Sequence, residues 1–275
     1  MELKTLVKQS IDLMQSAENL ALQFSDEGFF VGFSGGKDSQ VLLDLVKRAD
    51  VKYKAYYSVT TLDPPENVKF IEKYYPDVHF LYPTKNFFKL VEEKGLPTRL
   101  RRYCCVYLKE GHGINRVVLT GVRAEESVKR SQYNEVSIIS NRNEHKERKV
   151  KTIKEIEQAK HKCIKGKDKI MLYPILRWTE ADIYNYLDLN HITINPLYNY
   201  VGRVGCMFCP FSSVKEMRLW ELRYASYVDK IKRSCKKYLE NKKYFENENE
   251  MWEWYKSKLS INEYKECKKQ LKIDL

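Results

Sequence analysis

The chain has 275 residues, a hydrophobic fraction of 43% and 20 tyrosines, which predicts a folded protein with one core plus an appended part, or two small domains. No apolar run approaches the ~18–20 residues of a membrane span, and the first residues lack a signal-peptide core, so we expect a cytoplasmic protein without a membrane partner. Seven cysteines, an odd number, favour metal or redox use over a disulfide framework.

The net charge of +12 is concentrated in two regions. Residues 141–170 hold eleven Lys or Arg against five Asp or Glu, and residues 214–275 hold sixteen against eleven. Basic surface of this kind is compatible with an extended polyanion such as DNA or RNA. A basic surface that serves only solubility is the alternative.

Apolar residues recur at helical spacing over residues 3–24 and predict an amphipathic helix. The next stretch, residues 29–46 (FFVGFSGGKDSQVLLDLV), combines an apolar run, a polar turn with two glycines, and apolar residues at helical spacing. This order predicts a strand, a tight turn and a helix.

The turn Ser34–Ser39 (SGGKDS) has the residue types that an anion site needs. Two adjacent glycines allow the backbone to bring successive amides towards an anion, and the helix adds free N–H groups and a positive dipole end. The serines supply hydroxyl donors and Lys37 a cation, which suits a pyrophosphate. The turn is not a Walker loop, because Asp38 stands where Ser or Thr should follow the GK pair. A plain turn between strand and helix is the alternative.

Short strands and helices then alternate along the chain. Strands are predicted at residues 51–59, 78–82 and 117–120, and helices at residues 66–75 and 86–94. This alternation predicts an α/β fold with a doubly wound parallel sheet. Ligands of such sheets bind outside the carboxyl ends of the strands, so we expect the turns 34–39, 60–66 and 121–127 to line one crevice.

Residues 133–170 are polar and Lys-rich and predict a basic excursion from the core. The chain returns at residues 171–175, and Thr179 is predicted to cap a helix, with Asp182 completing an approximate capping box. From Val214 onwards the sequence is helical and rich in Trp, Tyr and Lys. We therefore predict a nucleotide-binding domain over residues 1–212 and a helical region over residues 213–275.

Four cysteines stand in two pairs, Cys104 with Cys105 and Cys206 with Cys209. Such a set can hold a [4Fe–4S] cluster or a tetrahedral zinc ion. Adjacent cysteines chelate a small ion awkwardly, whereas the irons of a cluster lie apart, so a cluster is favoured; zinc and buried or redox-active thiols stay open. The remaining cysteines have no partner spacing and are predicted to be ordinary thiols: Cys163, Cys235 and Cys267.

Seven segments over residues 28–212 together resemble the phosphoadenosine phosphosulfate (PAPS) reductase family of the ATP pyrophosphatase, or PP-loop, superfamily. They are FSGGKDS at 33–39, TTLDPPE at 60–66, RYCCVYLKE at 102–110, TGVRAEESVKR at 120–130, PILRWTEADIYNYL at 174–187, NPLY at 195–198 and GCMFCP at 205–210. The two cysteine pairs also resemble the cluster pattern of assimilatory sulfonucleotide reductases and related DNA-phosphorothioation enzymes.

The resemblance implies an adenine nucleotide, either ATP or PAPS or APS, with its phosphates on the SGGKDS loop. The nucleotide-binding residues that it implies are Ser34, Gly35, Gly36, Lys37, Asp38, Ser39, Thr60, Asp63, Gly121, Arg123 and Arg130. Catalytic roles are implied for Lys37, for Asp38 as a partial ligand of Mg²⁺, and for Arg123, whose alternative is a solvated arginine at a strand end. The implied ligands of a [4Fe–4S] cluster are Cys104, Cys105, Cys206 and Cys209. A sulfur or electron donor protein, of the cysteine desulfurase or thioredoxin-like type, is the implied partner.

Two departures from sulfonucleotide reductases bear on the function. Those enzymes generally have a degraded loop, whereas SGGKDS is intact here, as in enzymes that adenylate a substrate and release pyrophosphate. Their nucleophilic cysteine lies in an ECGLH-like motif, of which Glu266 and Cys267 match only two letters. We therefore expect an ATP pyrophosphatase that adenylates an acceptor, such as DNA or RNA, for sulfur transfer. The alternatives are a PAPS or APS reductase that releases sulfite and a non-catalytic, nucleotide-gated subunit of a DNA modification or defence complex.

Overall fold

The computed structural model describes residues 2–142, 145–150, 152–154, 168–242 and 244–273. The chain forms two compact units, and each is made of three separate segments. The first unit contains Met1–Ser58, Pro65–Leu81 and Gly111–Val204, and the second contains Val59–Pro64, Tyr82–Glu110 and Gly205–Leu275. A boundary near residue 212 therefore does not separate the two units, because composition along the chain does not report which segments meet in space.

The first unit is built on one seven-stranded sheet. Its strands are β1 Phe29–Phe33, β2 Tyr53–Ser58, β3 His79–Leu81, β4 Val117–Thr120, β5 Val136–Arg142, β6 His145–Val150 and β7 Asp168–Leu172. Their order is β3-β2-β1-β4-β7-β5-β6. The first five strands of this order pair in parallel, and β5 is antiparallel to both of its neighbours. The predicted α/β class is confirmed, but the sheet is mixed rather than wholly parallel.

Strands β5 and β6 form a hairpin in a region that the sequence assigns to a basic excursion. Strand β5 pairs with β7 over Val136–Ser140, and its residues Val136, Ile138 and Ile139 are buried. The expectation of an excursion is therefore corrected for the residues of β5 and β6. The polar, Lys-rich sequence of β6 gives no apolar alternation, which hides the hairpin from a pattern-based prediction. Residues 155–167, the rest of the predicted excursion, lie outside the described part.

Numbered along the chain, the helices of the first unit are α1 Leu3–Phe24, α2 Lys37–Arg48, α3 Pro65–Tyr74, α6 Val128–Ser131 and α7 Glu180–Leu189. Helix α2 is held to the sheet by apolar residues at helical spacing, since Val41, Leu42 and Leu45 are fully buried. The predicted capping box is present at the start of α7, where Thr179 Oγ1 accepts from Asp182 N at 3.1 Å.

The helices of the second unit are α4 Phe87–Lys94, α5 Tyr103–Cys105, α8 Val214–Arg223, α9 Ala225–Glu240, α10 Glu248–Ser257 and α11 Ile261–Ile273. Helices α8 to α11 lie in the part of the chain beyond Val214, for which the sequence predicts helices. Trp252 is fully buried and Trp254 nearly so, which makes these two rings part of the core of this helical region. Among the helices described, none combines the length and apolar character that crossing a membrane requires.

Candidate functional site

The SGGKDS loop joins the end of β1 to the start of α2 and closes on itself through side-chain hydrogen bonds. Ser39 Oγ donates to Gly36 O at 2.8 Å and accepts from Ser34 N at 3.2 Å. Gly35 has a φ of +76°, and a Cβ at this position would lie 2.4 Å from Asn67 Oδ1. Position 35 therefore needs glycine for both its backbone conformation and its close approach to Asn67.

Two buried asparagines hold the carbonyl groups of the loop. Asn195 Nδ2 donates to Gly35 O at 2.9 Å and to Asn67 Oδ1 at 2.7 Å. Asn67 Nδ2 in turn donates to Ser34 O at 3.1 Å. These contacts compensate two carbonyl dipoles that would otherwise repel a phosphate. The sequence indicated neither role, although Asn195 lies in the NPLY segment.

Lys37 is the buried cation of the loop, with an exposed fraction of 6%. Its Nζ lies 3.0 Å from Glu180 Oε1 and 3.7 Å from Asp38 Oδ2, and its main-chain N donates to the Tyr198 hydroxyl at 3.0 Å. Burial by itself lowers the pKa of Lys37, but Tyr198, Asp38 and Glu180 outweigh it, so the net shift of this pKa is upwards. Lys37 therefore stays a cation.

Arg123 is tied to the same loop through Asp38. Its Nε donates to Asp38 Oδ1 at 2.6 Å and its Nη1 donates to Glu125 Oε2 at 2.6 Å. Arg123 is 4% exposed, so it is not a solvated arginine at a strand end. Burial opposes its charge, but the hydrogen bonds to Asp38 and Glu125 raise the pKa of Arg123 overall.

Gly121 and Arg130 follow β4 but differ in their relation to the loop. A Cβ on Gly121 would lie 2.9 Å from both the carbonyl carbon and the oxygen of Asp38, so the end of β4 approaches α2 at backbone distance. Arg130 instead forms an ion pair with Glu126 on the segment before α6. The structure thus brings Gly121 to the loop, whereas the partner described for Arg130 is Glu126.

Glu125 and Glu180 complete a ring of polar contacts that the sequence did not predict. Glu125 Oε2, which accepts from Arg123, also accepts from Glu180 N at 2.6 Å. The ring runs from Asp38 through Arg123, Glu125 and Glu180 to Lys37. The acidic residue after the Thr179 cap is visible in the sequence, but its partner Lys37 lies 143 positions away.

Thr60 and Asp63 belong to the second unit, where Asp63 closes a tight turn. Its Oδ2 accepts from Thr60 N at 2.6 Å and its Oδ1 accepts from Thr60 Oγ1 at 2.8 Å, with both residues buried. Within this turn Leu62 O accepts from Met207 N at 2.8 Å. The turn is therefore joined directly to the segment that carries the Cys-x-x-Cys pair.

The four candidate ligand cysteines are free, half-buried thiols of the second unit: Cys104, Cys105, Cys206 and Cys209. A hydrogen bond between the adjacent pair raises the pKa of Cys104, to which burial and the two distant cysteines add. The same bond lowers the pKa of Cys105, and Arg102, whose Nη2 lies 3.4 Å from its Sγ, lowers it further. The four thiols therefore interact electrostatically with one another, and we refer to these four residues as the four-cysteine group.

Polar residues at the end of helix α10, directly after it and in the segment before β4 lie near the four cysteines. The buried Tyr255 hydroxyl donates to Phe208 O at 2.7 Å, and Lys258 Nζ lies 3.5 Å from Cys209 O. The Cys206 thiol, followed by Asp63, raises the pKa of Lys109. These neighbours are tyrosine and lysine, which are not typical metal ligands, so the sequence offered no reason to place them beside the cysteines.

The four cysteines belong to one unit of the structure. In the described part of the chain, no three His, Cys, Asp or Glu side chains are placed so that they could hold one metal ion. The role of the four cysteines as ligands of a [4Fe–4S] cluster stays a prediction from the sequence. Of the other cysteines, Cys235 is buried on α9 and Cys267 is exposed on α11, while Cys163 lies outside the described residues.

A family comparison decides the relationship of this chain. The phosphoadenosine phosphosulfate reductase domain matches residues 28–212, about two thirds of the sequence. The chain belongs to the PAPS reductase domain family. Two relatives from Methanocaldococcus jannaschii, the uncharacterized proteins MJ0973 and MJ0066, are 28% identical over 220 residues and 26% identical over 240 residues. These alignments cover 73% and 82% of this chain but 47% and 45% of the relatives, so it spans about half their length.

Solved structures give more distant similarities to this PAPS reductase family member. A PAPS reductase from Candida auris is 16% identical with a TM-score of 0.45, over 74% of this chain and 93% of that one. The FMN adenylyltransferase of Candida glabrata with FAD and pyrophosphate is 14% identical with a TM-score of 0.46, over 75% and 65%. An NH3-dependent NAD synthetase from Campylobacter jejuni is 12% identical with a TM-score of 0.42, over 88% and 95%.

Proposed function

We propose that this PAPS reductase family member binds ATP with its phosphates on Ser34–Ser39 and releases pyrophosphate. The observation that carries the proposal is Lys37, a buried lysine in an intact SGGKDS loop at the start of α2. Its pKa is raised, so it is charged at neutral pH. A fixed cation at a helix N-terminus suits the β- and γ-phosphates of a nucleotide.

The proposed reaction is adenylation of an acceptor hydroxyl or carbonyl oxygen. The acceptor oxygen attacks the α-phosphorus, the bond to the β-phosphate oxygen breaks, and pyrophosphate leaves. Lys37 and the first amides of α2 stabilise the negative charge that develops on this leaving group. Asp38 would contribute Oδ2 to a Mg²⁺ ion, since its Oδ1 already accepts from Arg123.

In the second step, a sulfide-level sulfur, delivered by a donor protein with the two electrons that a persulfide donor requires, would attack the acceptor atom that bears the activated oxygen. The bond between this atom and the oxygen would break, and the oxygen would leave with AMP. The donor set of Cys104, Cys105, Cys206 and Cys209 would hold a [4Fe–4S] cluster, which would supply redox or sulfur-carrying chemistry when bound. DNA or RNA is a candidate acceptor on account of the basic charge of the chain, and a cysteine desulfurase or thioredoxin-like protein is a candidate donor.

A PAPS or APS reductase is the second candidate, and the family match favours it. Such an enzyme takes a preformed sulfonucleotide and two electrons and releases sulfite, without breaking an α–β phosphate bond. The exposed Cys267 on α11, or a partner thiol, would attack sulfur. Pyrophosphate release therefore separates the two candidates.

The test uses anaerobically purified protein in two assays, AMP and pyrophosphate formation from Mg-ATP with and without nucleic acid, and sulfite formation from PAPS or APS. Lys37→Ala should abolish pyrophosphate release, whereas Lys47→Ala, an exposed lysine near the end of the same helix, should not. Release that persists in Lys37→Ala would contradict the proposed loop chemistry. Sulfite formation without pyrophosphate would establish the reductase, and nucleotide binding without either product would indicate a non-catalytic subunit.

A further inference from the structure

Both polar nitrogens of Lys37 are engaged by oxygen atoms of one stretch of chain, residues 180–198. The side-chain Nζ is 3.0 Å from Glu180 Oε1, and the main-chain N donates to the Tyr198 hydroxyl at 3.0 Å. The Lys37 Nζ also lies 5.1 Å from the centre of the Tyr198 ring. The two groups of the loop that are best placed to bind a phosphate therefore already have oxygen partners.

A phosphate that binds Lys37 must compete with these partners. Its oxygens require the same ammonium group and the same amide, and a phosphate next to the Glu180 carboxylate would also experience like-charge repulsion. Removal of this carboxylate should therefore favour anion binding in two ways, because it frees the lysine and removes the repulsion.

Glu180 can move away from Lys37 without disturbing its helix. It is the first residue of α7, and its side chain has an exposed fraction of 55%. Its main-chain N is held by Glu125 Oε2 at 2.6 Å, and the capping box of α7 uses Thr179 and Asp182 instead. Rotation of this side chain alone therefore frees the Lys37 ammonium group for a phosphate, while the Tyr198 hydroxyl still holds the Lys37 amide.

We propose that Glu180 is an internal counter-anion that occupies the phosphate position on Lys37 and thereby sets the affinity of the loop for phosphate ligands. The inference rests on the proposed function, because it concerns the same phosphate-binding loop. In the absence of a ligand, Glu180 keeps the buried ammonium group paired and in place. Phosphate binding exchanges one ion pair for another, which weakens binding and speeds the release of pyrophosphate.

The test measures the binding of inorganic pyrophosphate by calorimetry, in EDTA and at low salt, so that no metal ion takes part. Glu180→Gln should bind pyrophosphate about tenfold more tightly than the unaltered chain, because a half-exposed ion pair and a near repulsion are both removed. Glu180→Asp keeps the charge but shortens the side chain by one methylene group, so we expect an intermediate gain in affinity for pyrophosphate. Asp188→Asn removes the same charge from an exposed position of the same helix and should change affinity less than about twofold.

The outcomes separate this inference from the proposed function. Measurable binding in the unaltered chain that is lost in Lys37→Ala, but is equal or weaker in Glu180→Gln, overturns the counter-anion role and leaves the loop assignment intact. A gain of the same size in Asp188→Asn also overturns it, since the effect would then be one of net charge. If pyrophosphate does not bind the unaltered chain or any Glu180 variant, the loop assignment fails, and the inference fails with it. Once turnover is established, Glu180→Gln should lower the KM for ATP more than it changes kcat.

Discussion

Arg123 Nε lies 2.6 Å from Asp38 Oδ1, and this contact joins the segment that follows β4 to the first turn of α2. The Arg123 side chain is 5% exposed and the Asp38 side chain 20% exposed, so the pair is largely shielded from water. Asp38 is adjacent to Lys37 in the loop, and the pair therefore links the position of the loop to the neighbouring strand of the sheet.

Removal of Arg123 should destabilise the first unit. Loss of one partner from a buried pair costs about 3–5 kcal/mol, and the partial exposure of Asp38 reduces this to roughly 2 kcal/mol. We expect Arg123→Ala to lower the free energy of unfolding by that amount in urea denaturation. The control is a double-mutant cycle with Asp38→Asn. The double variant should lose less free energy of unfolding than the two single variants lose together. If the two losses simply add, the two residues do not act as a unit.

Gly121 should not tolerate even one methyl group. A Cβ there would lie 2.9 Å from main-chain atoms of Asp38, which cannot move aside as a flexible side chain would. Gly121→Ala should therefore cost about 1–3 kcal/mol of stability and weaken pyrophosphate binding, because α2 must shift. The matched control is Gly202→Ala, since a Cβ at position 202 meets no atom within 4 Å. Equal melting temperatures for the two variants would contradict the close approach of β4 to α2.

Glu27 should contribute a pH-dependent part of the stability. Hydrogen bonds from Lys54, then Arg116, then Tyr56 lower the pKa of Glu27 to about 2. A carboxyl group whose pKa is lower in the folded state stabilises the fold above its unfolded pKa of about 4.5, and this contribution is lost as the pH falls towards 2.

Substitution of Glu27 by Gln should therefore lower stability at pH 7 by up to about 1 kcal/mol, a small value because the side chain is half-exposed. The difference from the unaltered chain should shrink between pH 4.5 and pH 2. Urea denaturation across this range provides the measurement. A difference that is constant with pH would mean that the loss comes from packing rather than from charge.

The four-cysteine group should bind iron in anaerobically purified protein. We expect about four irons per chain and a broad absorbance near ~400 nm. Cys206→Ser should remove the colour and most of the iron. Cys267→Ser, which changes an exposed cysteine on α11, should leave both intact. Equal iron contents in the two variants would contradict the ligand assignment, and one zinc per colourless chain would identify a structural metal instead.

Local features of the chain were predictable from sequence. The strand, turn and helix around SGGKDS and the capping box of Thr179 and Asp182 all depend on residues within a few positions of each other. Propensity, glycine conformation and capping act over that range, so the bounds of β1 and α2 follow from the pattern.

Features that depend on distant segments were not predictable. Asn67 and Asn195 hold the loop from positions far along the chain, and Glu180 reaches Lys37 across 143 residues. A polar residue in a loop has the same sequence signature whether it faces water or a carbonyl group. The β5–β6 hairpin was missed for a related reason, because its pairing with β7 determines its burial and its own pattern does not.

The interleaving of the two units has a consequence for the newly made chain. Cys104 and Cys105 are synthesised about 100 residues before Cys206 and Cys209, although all four belong to the second unit. At ~5–20 residues per second, the first two thiols emerge from the ribosome roughly 5–20 seconds before the second pair exists. During that interval the adjacent thiols lack the second cysteine pair and are open to oxidants and stray metal ions. The four cysteines can come together only after Cys209 has been made, and production under low oxygen should raise the yield of protein with four intact thiols.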